Sequence, residues 1–181
     1  MPKTKLALLS GGISSEREVS LNSGNQVFEA LNKERYDITR YDPATDLQQL
    51  VENAENIDVA LVLLHGPYGE DGTIQGLLDL LGIPYQGAGV LGSAAAMNKL
   101  ASKRLYRQAG IPTPEYMVLN EKEPVEPYAI MDQMELPVVV KPACAGSSVG
   151  MTIVKSESGL KEAVEKAFEH DDCVLVEAYI K

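Results

Sequence analysis

Three short segments concentrate the residues able to do chemistry in this 181-residue chain. The first, Ser10-Gly11-Gly12-Ile13-Ser14-Ser15-Glu16, follows an apolar run and precedes a helical pattern. Strand-to-helix turns of this kind leave backbone N–H groups free to hold an anion. Glu16 at the helix start can hold an ammonium; read structurally, it is an acid complementing the helix dipole. The second, His65-Gly66-Pro67-Tyr68-Gly69-Glu70-Asp71-Gly72, places four glycines and prolines in eight residues at the carboxyl end of a third apolar run. Open α/β sheets bind ligands there, and His65 either donates to a substrate or packs with its ring satisfied. The third runs from Val138 to Gly150 and sets Lys141 at the end of an apolar run, before Gly146-Ser147-Ser148-Val149-Gly150. A half-desolvated lysine and a loop dense in N–H and hydroxyl donors suit a polyphosphate; a plain hairpin is the structural alternative. The lysine precedes the glycines, so this is not a Walker A loop. Lys99, in Met97-Asn98-Lys99, is otherwise a solvated helix lysine, and Glu177, at the end of an apolar strand, is otherwise part of a sheet edge.

The elements that must carry these segments follow from periodicity. Lys5–Leu9, Tyr36–Tyr41 and Val59–Leu64 read as strands. Between them lie a helix with a Ser15/Glu18 capping box and Leu21, Gly24, Phe28 and Leu31 on its buried face, and a short helix over Leu47–Ala54 with Leu47, Leu50 and Val51 inward. A further helix buries Ile74, Leu77, Leu78 and Leu81 and ends at Gly82, and Ile83–Tyr85 reads as a last short strand. Strands alternating with helices, and apolar throughout, belong to a parallel sheet covered on both faces. A boundary is expected near Gly87-Ala88-Gly89. Beyond it come a helix over Lys99–Gln108 stopped by Gly110 and Pro112, a strand at Tyr116–Leu119, a helix from Pro127 to Met134, and a hairpin of Val138–Val140 with Met151–Val154. A helix capped by Ser156 or Ser158 with Leu160, Ala163, Val164, Ala167 and Phe168 inward precedes the strand Val174–Tyr179. Ending just past a strand, the chain reads as one that continued.

A formal charge of −10 with no Lys/Arg stripe opposes nucleic acid and anionic membranes as partners. No apolar run approaches the roughly 18 residues of a membrane helix, and the run Leu6–Leu9 is too short for a signal-peptide core. Cys144 and Cys173, too few for a disulfide framework, read as reduced thiols of a cytoplasmic protein. A dinucleotide site with Asp42 on the second strand is disfavoured, because Gly11-Gly12 lacks the later glycines of Gly-x-Gly-x-x-Gly.

Taken in order, Gly11-Gly12-Ile13-Ser14-Ser15-Glu16-Arg17-Glu18-Val19-Ser20, His65-Gly66, Gly69-Glu70-Asp71-Gly72-Thr73-Ile74-Gln75-Gly76, Asn98-Lys99, and Lys141-Pro142 with Gly146-Ser147-Ser148-Val149-Gly150 resemble the motifs of the D-alanine–D-alanine ligases of the ATP-grasp superfamily. The resemblance runs from about residue 5 to the end of the chain. It implies a doubly wound parallel-sheet α/β domain over 1–87, and over 88–181 the first α+β lobe of an ATP-grasp fold, with the carboxy-terminal lobe missing. It further implies ATP-dependent joining of two D-alanines through an acyl-phosphate in peptidoglycan synthesis. Glu16 then resembles the catalytic residue that holds the first ammonium, with Ser147 linking that acid to a lid loop and His65 beside the same substrate. Lys99 and Lys141 resemble the lysines on the nucleotide phosphates, with Ser147 and Ser148 in the loop that covers them, and Glu177 with Ala178, Tyr179 and Ile180 resembles the strand that reads adenine. The family's Mg²⁺ (or Mn²⁺) ligands match nothing within the chain, so the 181 residues alone are expected to be inactive. A homodimer through the amino-terminal domain is expected by the same analogy. A D-alanine–D-lactate-type ligase and a non-catalytic nucleotide-binding fragment are the alternatives.

Overall fold

A computed structural model describes residues 2–122, 127–146 and 148–180. The chain divides into two compact units, Met1–Ala94 and Ala95–Lys181.

In the first unit β1 (Thr4–Leu9), α1 (Arg17–Ala30), β2 (Tyr36–Tyr41), α2 (Leu47–Glu52), β3 (Val59–Val62) and α3 (Thr73–Leu80) alternate as expected. The strands form a parallel sheet in the order β2-β1-β3. As the central strand, β1 is covered on both faces, which is why its run is continuously apolar and why Ala7, Leu8 and Leu9 are 0% exposed. Ala7 and Leu9 pack with Tyr41, Leu50, Ile74 and Leu78 on one face. On α1, a Cβ added at Gly24 would lie 2.4 Å from Ser10 Oγ, so the glycine permits a close approach of the helix to the end of β1.

Four local expectations are corrected. The Ser15/Glu18 capping box does not form: α1 begins after Glu16, with no side-chain cap. Leu47 and Val51 are exposed and only Leu50 is buried in α2, because that helix is too short to present more than one position to the core. Tyr85 makes a single parallel bridge to Ala60 rather than a strand. The third strand stops at Val62, before the chain turns toward His65.

The second unit contains the rest of α4 (Val90–Met97), then α5 (Lys99–Gln108), β4 (Tyr116–Asn120), α6 (Pro127–Met131), β5 (Val138–Pro142), β6 (Thr152–Val154), α7 (Leu160–Phe168) and β7 (Cys173–Ala178). Helix α6 ends three residues before the expected Met134, and neither Ser156 nor Ser158 caps a helix with its side chain. The strands form an antiparallel sheet in the order β4-β7-β5-β6. Residues alternate between its faces. Val138, Val140, Val154, Val174 and Val176 pack with Leu160, Ala163 and Ala167 of α7 in one core. Tyr116, Val139, Lys141, Leu175 and Glu177 therefore share the opposite face, which is where the charged chemistry lies.

Candidate functional site

In the first unit the residues of interest gather above the carboxyl ends of the parallel strands. Gly11 has φ +96°, and a Cβ there would lie 2.6 Å from the Asp42 carboxylate, so both the backbone angle and the space demand glycine. The Gly11 N–H donates to Ser20 Oγ at 2.8 Å, and Ser20, completely buried, passes the bond to the Leu63 carbonyl at 2.7 Å. Gly12 N–H donates to Asp42 Oδ1 at 2.9 Å, and Arg17 grips both Asp42 oxygens, at 3.0 and 2.5 Å. Burial pushes the Asp42 carboxyl up, but the Arg17 hydrogen bond and the N–H groups of Gly12 and Ala44 outweigh it and hold Asp42 below its usual range.

With the turn pinned in this way, Glu16 is left outside it. Its side chain makes no cap bond, and its Oε2 lies 2.6 Å from where a Cβ on Gly66 would stand. Gly66, at φ +72°, therefore admits the carboxylate against the backbone beside His65. Ser14 Oγ donates to the His65 carbonyl at 2.7 Å, and the His65 ring reaches Ser23 Oγ at 3.3 Å through Nε2. The Glu16 carboxylate thus lies against the residue that follows His65, while the His65 ring turns to Ser23. Asp71 braces the following loop by accepting from the N–H groups of Tyr68 and Thr73, both at 2.9 Å. A cavity of about 170 Å³ opens between the Gly11–Ser14 turn and the His65–Gly69 loop, walled by Pro43, Leu47, Leu64, Ile74 and Leu77.

In the second unit Lys99 is the first residue of α5, whose start is capped by Asn98 Oδ1 accepting from Ala101 N–H at 2.8 Å. Lys99 joins the root of the glycine-rich loop through both its backbone and its side chain. Its N–H donates to Ala143 O at 2.9 Å, and its Nζ donates to Ala145 O at 2.6 Å. Burial, and then the charge of Lys141, lower its pKa from the ordinary lysine value. Lys141 and Glu177 are diagonal neighbours on β5 and β7, with Nζ 2.6 Å from Oε2. That oxygen has the ion contact but no directed hydrogen bond. The second oxygen, Oε1, lies 3.3 Å from Lys103 Nζ.

The sequence reading missed Lys103, although it stands one helical turn beyond Lys99 on α5, a spacing that puts both on one face. It also missed the bracing roles of Ser20, Asp42 and Arg17, which only strand adjacency reveals. Ser148 is exposed on the loop and Ala178 is half-buried, while Tyr179 and Ile180 are exposed beyond β7. The N–H groups of Ala178 and Tyr179 are committed to Glu115 O and Pro137 O. Ser147 lies outside the described residues. Burial and then Asp171 push the Cys144 thiol above its usual value, which makes it a poor nucleophile. Among the described residues no three His, Cys, Asp or Glu side chains converge to hold a metal, and no helix is long and apolar enough to cross a membrane.

Two family models match the chain: "D-ala D-ala ligase N-terminus" over residues 40–88 and "D-ala D-ala ligase C-terminus" over residues 105–181. A D-alanine–D-alanine ligase from Syntrophobacter fumaroxidans is 57% identical over 178 residues, which is 98% of this chain and 57% of that protein. The crystal structure of a D-alanine–D-alanine ligase from Bacillus anthracis superposes with a TM-score of 0.89 at 42% identity, covering 98% of this chain and 58% of that one. The ligase from the same organism complexed with ATP gives a TM-score of 0.86 at 39% identity, over 98% and 59% of the two chains. The chain spans a little over half the length of the relatives it matches. It belongs to the D-alanine–D-alanine ligase family of the ATP-grasp superfamily, of which it carries the amino-terminal and central part.

Proposed function

We propose that the protein carrying this sequence joins two D-alanines at the expense of ATP, through an acyl-phosphate, to supply peptidoglycan synthesis. The observation that carries the reading is the convergence of Lys99 and Lys141 at the root of the glycine-rich loop. The charge of Lys141 is near enough to help lower the pKa of Lys99, in a protein of formal charge −10 whose overall field repels phosphates. Lys99 is held by backbone carbonyls with no carboxylate among its bonds to the described residues, and Lys141 shares the Glu177 carboxylate with Lys103, so the charge at this place is in excess of its acid and suits an anion. The relative crystallised with ATP points to the same ligand.

On this reading Lys99 and Lys141 neutralise nucleotide phosphates, and the loop with Ser147 and Ser148 covers them and excludes water. Glu177 with Ala178, Tyr179 and Ile180 holds adenine. In the first unit Glu16 fixes the ammonium of the first D-alanine, and His65, oriented through Ser23 and its own carbonyl to Ser14, lies beside it. Magnesium would screen the phosphates in the complete site, and this chain contributes no ligand cluster to it among the described residues. The test is phosphate release from ATP by the protein carrying this chain, with D-alanine, D-lactate and no acceptor compared. Release that depends on D-alanine and yields the dipeptide is the expected result. Release indifferent to D-alanine would overturn the proposal, and preference for D-lactate would change the acceptor.

A further inference from the structure

Glu177 is held by two lysines that differ in their freedom to move. Lys103 is 7% exposed; besides Glu177 Oε1, its Nζ lies 3.3 Å from the Pro114 carbonyl and 4.9 Å from the centroid of the Tyr116 ring. Lys141 has 21% of its side chain exposed, and its 2.6 Å contact with Oε2 is an ion contact without hydrogen-bond direction. Burial lowers the Lys103 pKa, and Glu177 is the main influence opposing that. A lysine so buried costs stability unless its partner requires it.

The nucleotide site proposed above gives that requirement a meaning. If Lys141 were the only counter-ion of Glu177, it could turn to a phosphate only by abandoning a carboxylate that is itself 8% exposed. Leaving a buried charge unpaired is strongly unfavourable. We propose that Lys103 is a positioning residue that acts through Lys141: it keeps Glu177 neutralised, so that Lys141 can exchange the carboxylate for a phosphate of the bound nucleotide. The inference rests on the nucleotide reading of this site. Lys103 itself touches no phosphate. It sets how tightly Lys141 is retained by the protein, and so how strongly the site answers to the phosphates rather than to the adenosine part of the ligand.

The experiment compares ATP and adenosine binding by isothermal titration calorimetry in the protein carrying this chain. In Lys103→Met, Glu177 has only Lys141, and ATP affinity should fall by about ten- to 150-fold, the range of a charge-assisted contact, while adenosine affinity stays within about twofold. The double variant Lys103→Met with Glu177→Gln leaves no unpaired buried ion, which protects its folding if Lys103→Met alone fails to fold. Its ATP affinity relative to adenosine should return to within about threefold of the parent. Equal losses for ATP and adenosine in Lys103→Met, or a double variant in which ATP affinity relative to adenosine stays as low as in Lys103→Met, would each overturn the proposal. A parent that binds adenosine but gains nothing from the phosphates would remove the nucleotide reading beneath it.

Discussion

Ser20→Ala removes one hydroxyl that serves two segments, and its cost can be worked from the partners it leaves. Gly11 is buried, so its N–H loses its 2.8 Å acceptor without access to bulk water. An orphaned buried donor costs about 1–3 kcal/mol. The Leu63 carbonyl loses a 2.7 Å donor at a half-buried position, an ordinary hydrogen-bond loss of about 0.5–1.5 kcal/mol. The cavity left by one oxygen is small, so no large packing term is added. Together the change should destabilise the first unit by about 3 kcal/mol, and by less if a water takes the place of the hydroxyl. Two units invite stepwise unfolding, so the measurement should be local: urea-dependent amide exchange at Ala7, Leu8 and Leu9 in β1, with exposed Ser158→Ala as the control. A loss below about 0.5 kcal/mol, the range of an indifferent surface change, would refute the view that Ser20 ties the glycine turn to the end of β3.

Asp42→Asn should cost the first unit about 1 kcal/mol at neutral pH, a charge-assisted bond discounted for the partly exposed Arg17. Because the folded carboxyl titrates below its unfolded value, this stabilisation is complete above the ordinary aspartate pKa and is lost as pH falls through the lowered one; a gap between parent and variant that widens in acid would contradict it. Glu16→Gln should raise the Michaelis constant for the first D-alanine by about ten- to 150-fold with ATP affinity little changed, whereas unaltered D-alanine kinetics with a small fall in Tm would return Glu16 to a helix-start acid. Lys99, its pKa lowered by burial and by Lys141, should lose its proton at a lower pH than an ordinary lysine. ATP affinity should accordingly decline on the alkaline side and decline less in Lys99→Arg; a profile identical in both proteins would count against Lys99 as a phosphate ligand.

The parallel sheet of the first unit and the hairpin around the glycine-rich loop were legible because continuous apolar runs and turn glycines are local signals. Local signals also misled. Ser15 and Glu18 have capping-box spacing, but Ser14 instead donates to His65 O and the turn is organised by Asp42 from the neighbouring strand. Leu47 looks like a core residue in sequence, yet it is 43% exposed and lines the cavity beside Ile74 and Leu77. Lys103 was invisible as a site residue because charge on a helix ordinarily means solvent; only the β4–β7 pairing that sets Tyr116 opposite Glu177 explains why that position is buried.

The alternation on β7 also disciplines folding. Val174 and Val176 enter the core against α7, while Glu177 is on the face that carries its lysines. A strand that paired with β5 one residue out of step would send the carboxylate into that apolar core and a valine toward the lysines, since a single slip exchanges the two faces. Every mispaired sheet of this kind strands one acid and two bases at once, so the same three charges that the site uses also act as a proofreader of strand alignment.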